Sequence, residues 1–366
     1  MRIKRAAHTG SKHSKPLRIG FLPEIDCAPV VVAHEFGLFK QYQLEVEIST
    51  QPSWKHVHDK IIHGQLDAAH APGMLPFLIN LGVVDEPFKS ATALVLSLGG
   101  NAIIISRELW RLGVRNATTL REQMWNDRGK KIYSFAVTSP LSTQYFMLRD
   151  WLRAPKAPPC TEMRLECVPP EQLFPLLKLG YLDGFCAAEP WGSVALQAKI
   201  GKSLETSLSM APGHPEKVLL VRQDFVAERS EEHLRLIAAL TEACYLCDQA
   251  ENRLLLCELL AQPHFVNAPS ECLRPGLVGP LDPDSDYGAR SRPLVTFYHD
   301  NANEPTPSRA SWLSSRLLNS SNSARRPAAL NQVFRPDIFR RAQALLPPEV
   351  RSDSEPMAHT RSLVSL

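Results

Sequence analysis

Four short stretches of this chain carry residues that could grip a small oxyanion. Lys217 sits in His214-Pro215-Glu216-Lys217-Val218, just before an apolar run. A lysine is by default a surface residue, but a buried anion needs a compensating positive charge, and this lysine could supply one. Trp54, in Pro52-Ser53-Trp54, offers a flat wall and one indole N–H. Ser53 beside it stands at a helix start, where backbone N–H groups favour negative charge. The run Thr138-Ser139-Pro140-Leu141-Ser142-Thr143-Gln144 sets hydroxyls and an amide at a strand-to-helix turn, where they can donate to an oxyanion or simply cap the helix. Gly99-Gly100-Asn101 ends another apolar run, and its glycines permit both a sharp turn and close backbone approach to a ligand.

Two further residues carry a plainer alternative. Pro170 follows Val168-Pro169, where it can rigidify a loop. Glu189 lies in Asp183-Gly184-Phe185-Cys186-Ala187-Ala188-Glu189-Pro190-Trp191. A carboxylate there repels an anion unless it is paired, so Glu189 is read as orienting a cation or donor, or as a structural residue between lobes.

Machinery for covalent chemistry is missing from the pattern. There is no Gly-x-Ser-x-Gly, no His-Glu-x-x-His and no phosphate loop. His56, His58 and His63 read as surface histidines rather than a metal site. Cys244-x-x-Cys247 lies inside an apolar periodic run and reads as two small buried hydrophobes, since no second pair follows at zinc spacing. Neither an enzyme nor a cofactor is expected, and no metal.

The elements that must position these residues alternate. Strand-like runs at Leu17–Leu22, Leu44–Ile48, Leu66–Ala71 and Ala93–Leu98 are separated by helical stretches at Ala28–Phe39, Trp54–His63 and Pro72–Leu81. Alternation resumes with Asn101–Ser106, Lys131–Val137, Arg164–Val168 and Gly184–Ala188, with helices over Glu108–Trp125, Ser142–Leu152, Glu171–Leu179 and Trp191–Ile200. Lys217–Val221 is a returning strand, and Glu231–Leu259 carries one or two helices. This pattern predicts an α/β fold with a mainly parallel sheet, whose ligands gather at the carboxyl ends of its strands. Residues 276–330 are rich in Pro, Ser, Asn and Arg and read as a long loop layer or a partly disordered linker, and Pro336–Leu346 as a short helix.

Composition sets outer limits. A net charge of +3 over 366 residues argues against a dedicated nucleic-acid surface. No apolar run reaches the length of a membrane helix. The first fifteen residues are basic, and the apolar run after them is broken by Pro23, Glu24, Asp26 and Pro29, unlike a secretory core. With scattered cysteines, this gives an expectation of a cytoplasmic protein, or a periplasmic one if the start codon is misassigned.

The words quoted above, together with Leu17-Arg18-Ile19-Gly20-Phe21-Leu22-Pro23 and Ala33-His34-Glu35-Phe36-Gly37-Leu38-Phe39, occur in an order that resembles the nitrate- and bicarbonate-binding proteins of bacterial ABC transporters. The likeness spans about residues 17 to 265, and in type it is nearest the cytoplasmic nitrate sensors of the NasS kind. The resemblance implies a type II periplasmic-binding-protein fold, two lobes with a ligand cleft between them. Lobe 1 would comprise 17–101 plus 218–351 and lobe 2 would comprise 102–217, with a polar tail at 1–16 and a flexible one at 352–366. It also implies an anion pocket containing Trp54, Gly100, Asn101, Thr138, Gln144, Pro170, Glu189 and Lys217. Relatives that bind nitrate tend to carry histidine at the position of Gln144, and bicarbonate binders glutamine. Glu216 matches a residue that helps hold calcium in bicarbonate binders. Nitrate or nitrite is the expected ligand. The expected partner is an RNA-binding antiterminator of the ANTAR type, released when the lobes close; the alternative is an ABC transporter permease. Trp54→Ala and Lys217→Ala are both expected to abolish the ligand response and spare the fold.

Overall fold

Leu17, Ile19 and Phe21 alternate with Arg18 and Gly20, and the structure makes this run strand β1 (Leu17–Phe21) at the heart of a six-stranded sheet. The coordinates are a computed structural model that describes residues 15–83, 85–140, 142–153, 163–281, 293–320, 330 and 332–351. The two terminal tails lie outside them, apart from Lys15 and Pro16.

Around β1 lie β2 (Val46–Thr50), β3 (Ala68–Pro72), β4 (Ser90–Gly99) and two later strands, β10 (Pro215–Arg222) and β11 (Val295–Thr296), in the order β11-β4-β10-β3-β1-β2. The second sheet contains β5 (Asn101–Ser106), β6 (Tyr133–Val137), β7 (Met163–Cys167), β8 (Gly184–Ala188) and β9 (Gly201–Thr206), in the order β7-β6-β8-β5-β9. The chain therefore leaves the first sheet at Gly99-Gly100 and comes back to it at Pro215. Glu216 and Lys217 ride on the first sheet, with Lys217 opposite Pro72 and Ser97.

The expected mainly parallel sheet is corrected to two mixed ones. β1 pairs in parallel with β2 and β3, and β6 with β7 and β8. The strands that carry the chain between sheets, β4, β5 and β10, pair antiparallel, because each runs back along its neighbours after a crossing. Other differences have local causes. The expected helix over Glu108–Trp125 breaks into Arg107–Arg111 and Ala117–Asn126, since Gly113 takes φ +92 and Asn116 caps a new start on Thr119. Ala250–Asn252 divides the later run into Ser230–Asp248 and Arg253–Leu260. Strand β9 and the helix Pro307–Ser320 were not anticipated.

The first sheet is covered by helices Ala28–Glu35 and Ser230–Asp248, whose Val30, Val31, Val32, Ile237, Leu240 and Ala243 join one core with Ile19, Leu94 and Leu219. Cys244 and Cys247 lie in that core as buried thiols, as their apolar surroundings in the sequence suggested, and Cys27 joins them. A second core under β5, β6 and β8 holds Ile103, Phe135, Leu148 and Cys186.

The crossing depends on Gly99. Its φ is +74, and a Cβ there would lie 2.7 Å from the Leu294 carbonyl oxygen. Gly113 has a similar left-handed conformation with nothing within 4 Å. Gly113→Ala should cost about 1 kcal/mol from backbone strain alone, and Gly99→Ala clearly more, read as urea midpoints. Equal midpoints would mean the crossing absorbs the clash.

Candidate functional site

Lys217 is completely buried, and its ammonium is surrounded by carboxylates. Nζ lies 2.7 Å from Asp26 Oδ2, 3.0 Å from Glu24 Oε2 and 3.4 Å from Glu216 Oε1. Glu24 and Asp26 come from the turn just past the carboxyl end of β1, and Glu216 precedes Lys217 on β10. His70, on β3, places Nε2 3.0 Å from Asp26 Oδ1. Trp54, first residue of the helix Trp54–Ile62, lays its ring 5.6 Å from the Lys217 ammonium and 5.9 Å from the His70 ring. Ser53 caps that helix by accepting from the His56 N–H.

Charge in this cluster is shared unequally. Burial pushes every carboxyl up, but the coulombic pull of Lys217 and His70 outweighs it at Asp26, which falls to about 2. At Glu24 burial wins, and its pKa rises to about 7 despite Lys217. Burial holds His70 below its ordinary value, against the pull of Asp26. Glu216 is lowered in spite of burial by Lys217 and His214. Lys217 is held cationic by its acidic neighbours. The cluster thus contains two firm carboxylates, one ammonium and one carboxyl that titrates near neutrality.

Glu216 ties the two sheets together. Its Oε2 accepts from Asn101 Nδ2 at 2.7 Å, from Thr143 Oγ1 at 2.5 Å and from His214 Nε2 at 3.0 Å. Oε1 accepts from Gln144 Nε2 at 3.2 Å. Gln144 Nε2 also donates to Asn101 Oδ1 at 2.9 Å. Asn101 begins β5, while Thr143 and Gln144 open the helix Thr143–Leu152, capped by Ser142. Donors from the second sheet therefore converge on one carboxylate of the first. His214 has its other nitrogen, Nδ1, 2.8 Å from the Ala211 carbonyl, so both ring nitrogens face oxygen acceptors.

Five of the expected residues, Trp54, Asn101, Gln144, Glu216 and Lys217, share this one neighbourhood. Gly100, at φ +100, makes the crossing: its N–H donates to Leu294 O, and its carbonyl accepts from the Glu189 N–H. Thr138, just past β6, has a buried hydroxyl without a protein partner among the described residues. Pro170 opens the helix Pro170–Lys178, half-buried and outside the hydrogen-bonded set.

Two expectations are corrected. Lys217 is not a free cation awaiting an anion, because its charge is already met by three carboxylates. Glu189 does not orient a cation: its carboxyl accepts from the Ser193 N–H at 3.2 Å and from the Ser193 hydroxyl, at the start of the helix Trp191–Gln197. It packs against Gly192 and Gly276, with no positive partner among the described residues, and burial raises it to about 7. Its backbone carbonyl takes the Ile25 N–H at 3.1 Å and so joins the two sheets.

The sequence reading missed Glu24, Asp26, His70, Ser97 and the role of His214, while Thr143 lay in the hydroxyl run it singled out. The available signal was polarity inside apolar runs: Glu24 and Asp26 directly follow an apolar strand, and His70 interrupts Ala68-Ala69-His70-Ala71. Ser97, opposite Lys217 on β4, has a buried hydroxyl with no partner among the described residues. A cavity of about 380 Å³ lined by Pro307, Ala310, Leu330, Phe334 and Arg335 includes none of the candidates.

A family model described as the NMT1-like family matches residues 10–261. The chain belongs to the NMT1-like family. Over 93% of its length it superposes on 92% of the periplasmic nitrate-binding protein NrtA from Synechocystis, with a TM-score of 0.84 and 25% identity. The sulphonate-binding protein SsuA from Escherichia coli, at 16% identity and a TM-score of 0.63 over 88% of this chain and 92% of its own, shares the fold. The architecture of this NMT1-like chain is thus that of the periplasmic binding proteins. Among sequence relatives, the nitrate import ATP-binding protein NrtC of Synechocystis is 34% identical over 82% of this chain and 45% of its own length. The bicarbonate-binding protein CmpA of Synechococcus elongatus is 30% identical over 77% of this chain and 64% of its own. The chain spans about half the length of the first curated relatives it matches.

Two outcomes follow from the buried charges. Replacing Lys217 by Ala should leave buried carboxylates uncompensated and cost about 3–5 kcal/mol of stability, measured by urea unfolding. This replaces the expectation of an intact fold; an unchanged midpoint would mean the carboxylates take up protons without loss. For Glu189, a folded pKa near 7 against 4.5 unfolded means the folded state holds the proton more tightly. Its contribution is fully present below about pH 4.5, and is lost as pH rises through about 7. Glu189→Gln should therefore flatten the fall in stability between those values relative to wild type, read as melting temperature against pH; parallel profiles would show Glu189 already ionised.

Proposed function

We propose that this NMT1-like chain is a solute-binding protein rather than an enzyme, and that it takes a small oxyanion of the nitrate, nitrite or bicarbonate class into the cleft between its two sheets. The observation that carries this reading is the convergence of donors from the second sheet on Glu216 of the first, next to Lys217, which lies opposite Ser97, whose buried hydroxyl has no partner among the described residues, and is walled by Trp54. A carboxylate is a planar oxyanion, and side chains that bind one are suited to another. The names of similar proteins, nitrate-binding and bicarbonate-binding, support the same ligand class.

The charge count narrows how such an anion would enter. Asp26 and Glu216 already use the Lys217 charge, so the ligand arrives with a positive charge of its own, as a proton on Glu24 or as a cation. In this reading the bound state closes the lobes and is delivered to an ABC transporter permease.

A second reading has one observation in its favour. Seven cysteines are free among the described residues, six of them buried. Unpaired thiols suit a reducing compartment. There the same cleft would serve as a cytoplasmic nitrate or nitrite sensor, with closure releasing an RNA-binding antiterminator of the ANTAR type. An anion-dependent change in affinity for such a partner would favour this reading over delivery to a permease.

Calorimetric titration with nitrate, nitrite and bicarbonate, each with and without calcium, tests the shared core of both readings. One of these anions should bind, and Trp54→Ala should weaken it about tenfold or more, the equivalent of at least about 1.4 kcal/mol. If none binds under any of these conditions, the oxyanion reading is wrong.

A further inference from the structure

The family match ends at residue 261, yet a helix well beyond it reaches the site. Trp312, on Pro307–Ser320, lies against His214 with ring centroids 5.2 Å apart and planes 33° from parallel. Arg316, one turn on, places its guanidinium 3.6 Å from the Trp312 ring centroid and donates to the Trp312 carbonyl at 3.0 Å. His214, Trp312 and Arg316 thus form a contiguous series of contacts. Arg316 loses part of its hydration here, and burial lowers its pKa.

The same helix touches both halves of the molecule. Leu313 and Leu317 pack with Met74, Phe77 and Val218 of the first sheet's layers and with Phe146 of the second. Trp312 packs against that cluster and also against the second core. His214 sits just before β10, and its Nε2 is one of the contacts on Glu216, the carboxylate on which Asn101, Thr143 and Gln144 converge.

We infer that Trp312 is a positioning residue for the ligand cleft: by packing on the His214 ring it fixes the orientation in which Nε2 faces Glu216, and so ties the helix Pro307–Ser320 to the carboxylate that joins the two sheets. The Ala211 carbonyl and Glu216 hold the imidazole only through bonds to its two nitrogens at the ring edge, which leave the ring able to tilt. A face-packed aromatic partner removes that freedom. Aromatic contacts of this kind are worth enough to move a binding constant about fivefold to tenfold. As a contribution to oxyanion affinity, the inference rests on the function proposed above.

The test uses the full chain and has two readouts. The His214 ring nitrogens are observed by ¹⁵N NMR without ligand, and anion affinity is measured by calorimetry with whichever of nitrate, nitrite or bicarbonate binds the wild type. Trp312→Leu should shift the His214 ring signals and weaken the anion about fivefold to tenfold, while Trp312→Phe, which keeps a ring, restores both to near wild type. If Trp312→Leu does not fold, Arg316→Gln takes its place, loosening the tryptophan from its other side with a smaller shift in the same direction. Unchanged His214 signals in a folded Trp312→Leu or Arg316→Gln protein would overturn the inference. So would shifted signals with unchanged affinity, or a loss that Trp312→Phe does not rescue. If the wild type binds none of the three anions, the proposed function fails, while the His214 signals still decide whether Trp312 sets the ring.

Discussion

The buried ammonium of Lys217 is the interaction on which the rest of the cleft depends. Glu24, Asp26 and Glu216 reach it from two separate stretches of chain, and each is buried. Three carboxylates this close would repel one another strongly without a cation among them. With it, Asp26 and Glu216 stay ionised and Glu24 is left able to hold a proton. An apolar replacement of the whole set could be as stable. The charged version does something an apolar one cannot, which is to keep a strongly polar patch at the carboxyl edge of the sheet, beside an indole wall.

Glu216 carries that patch across the cleft. Because it sits next to Lys217 on β10, one of its oxygens is near the ammonium and the other receives donors from the second sheet. The lobes are therefore held at the cleft by a polar contact, while Gly99-Gly100 and the Ile25–Glu189 backbone bond join them through the main chain. A glycine pair can bend, whereas a hydrogen-bonded carboxylate can only be made or broken. Closure of such a cleft is governed by what satisfies the donors on Asn101, Thr143 and Gln144, and a ligand shifts it only by binding one arrangement better than the other.

Much of the fold was legible because buried strands and helices leave periodic apolar signals. Leu17–Phe21, Gly184–Ala188 and the Trp54 helix are where the pattern placed them, within a residue or two. Strand direction was not legible: antiparallel pairing of β4, β5 and β10 arises from long-range crossings that local periodicity does not encode. The helix Pro307–Ser320 was hidden by its composition, since Ser308, Ser311 and Ser315 hold its exposed positions and the half-buried Arg309 and Arg316 interrupt its apolar stripe. In the site, residue types pointed to Lys217, Asn101 and Gln144, but not to their partners. Glu24 and Asp26 lie about 190 positions from Lys217, and only the folded chain shows that they have already claimed its charge. Glu189 misled for the opposite reason: its place at a strand end suggested the cleft, while Ser193, four residues on, had captured its carboxyl.

The acid-rich cleft and the proposed oxyanion are reconciled by the kind of atom left unpaired. Buried His70 Nδ1 and Gln51 Oε1 have no donor among the described residues, and neither does Glu24 Oε1. The buried hydroxyls of Ser97 and Thr138 are also without partners among the described residues, and a hydroxyl donates or accepts as needed. A proton on Glu24 turns one of the acceptors into a donor and removes one negative charge in the same step. The group that balances the charge of an incoming anion is thereby also the group that changes the hydrogen-bonding character of the cleft, and Lys217 is what keeps that group poised between its two forms.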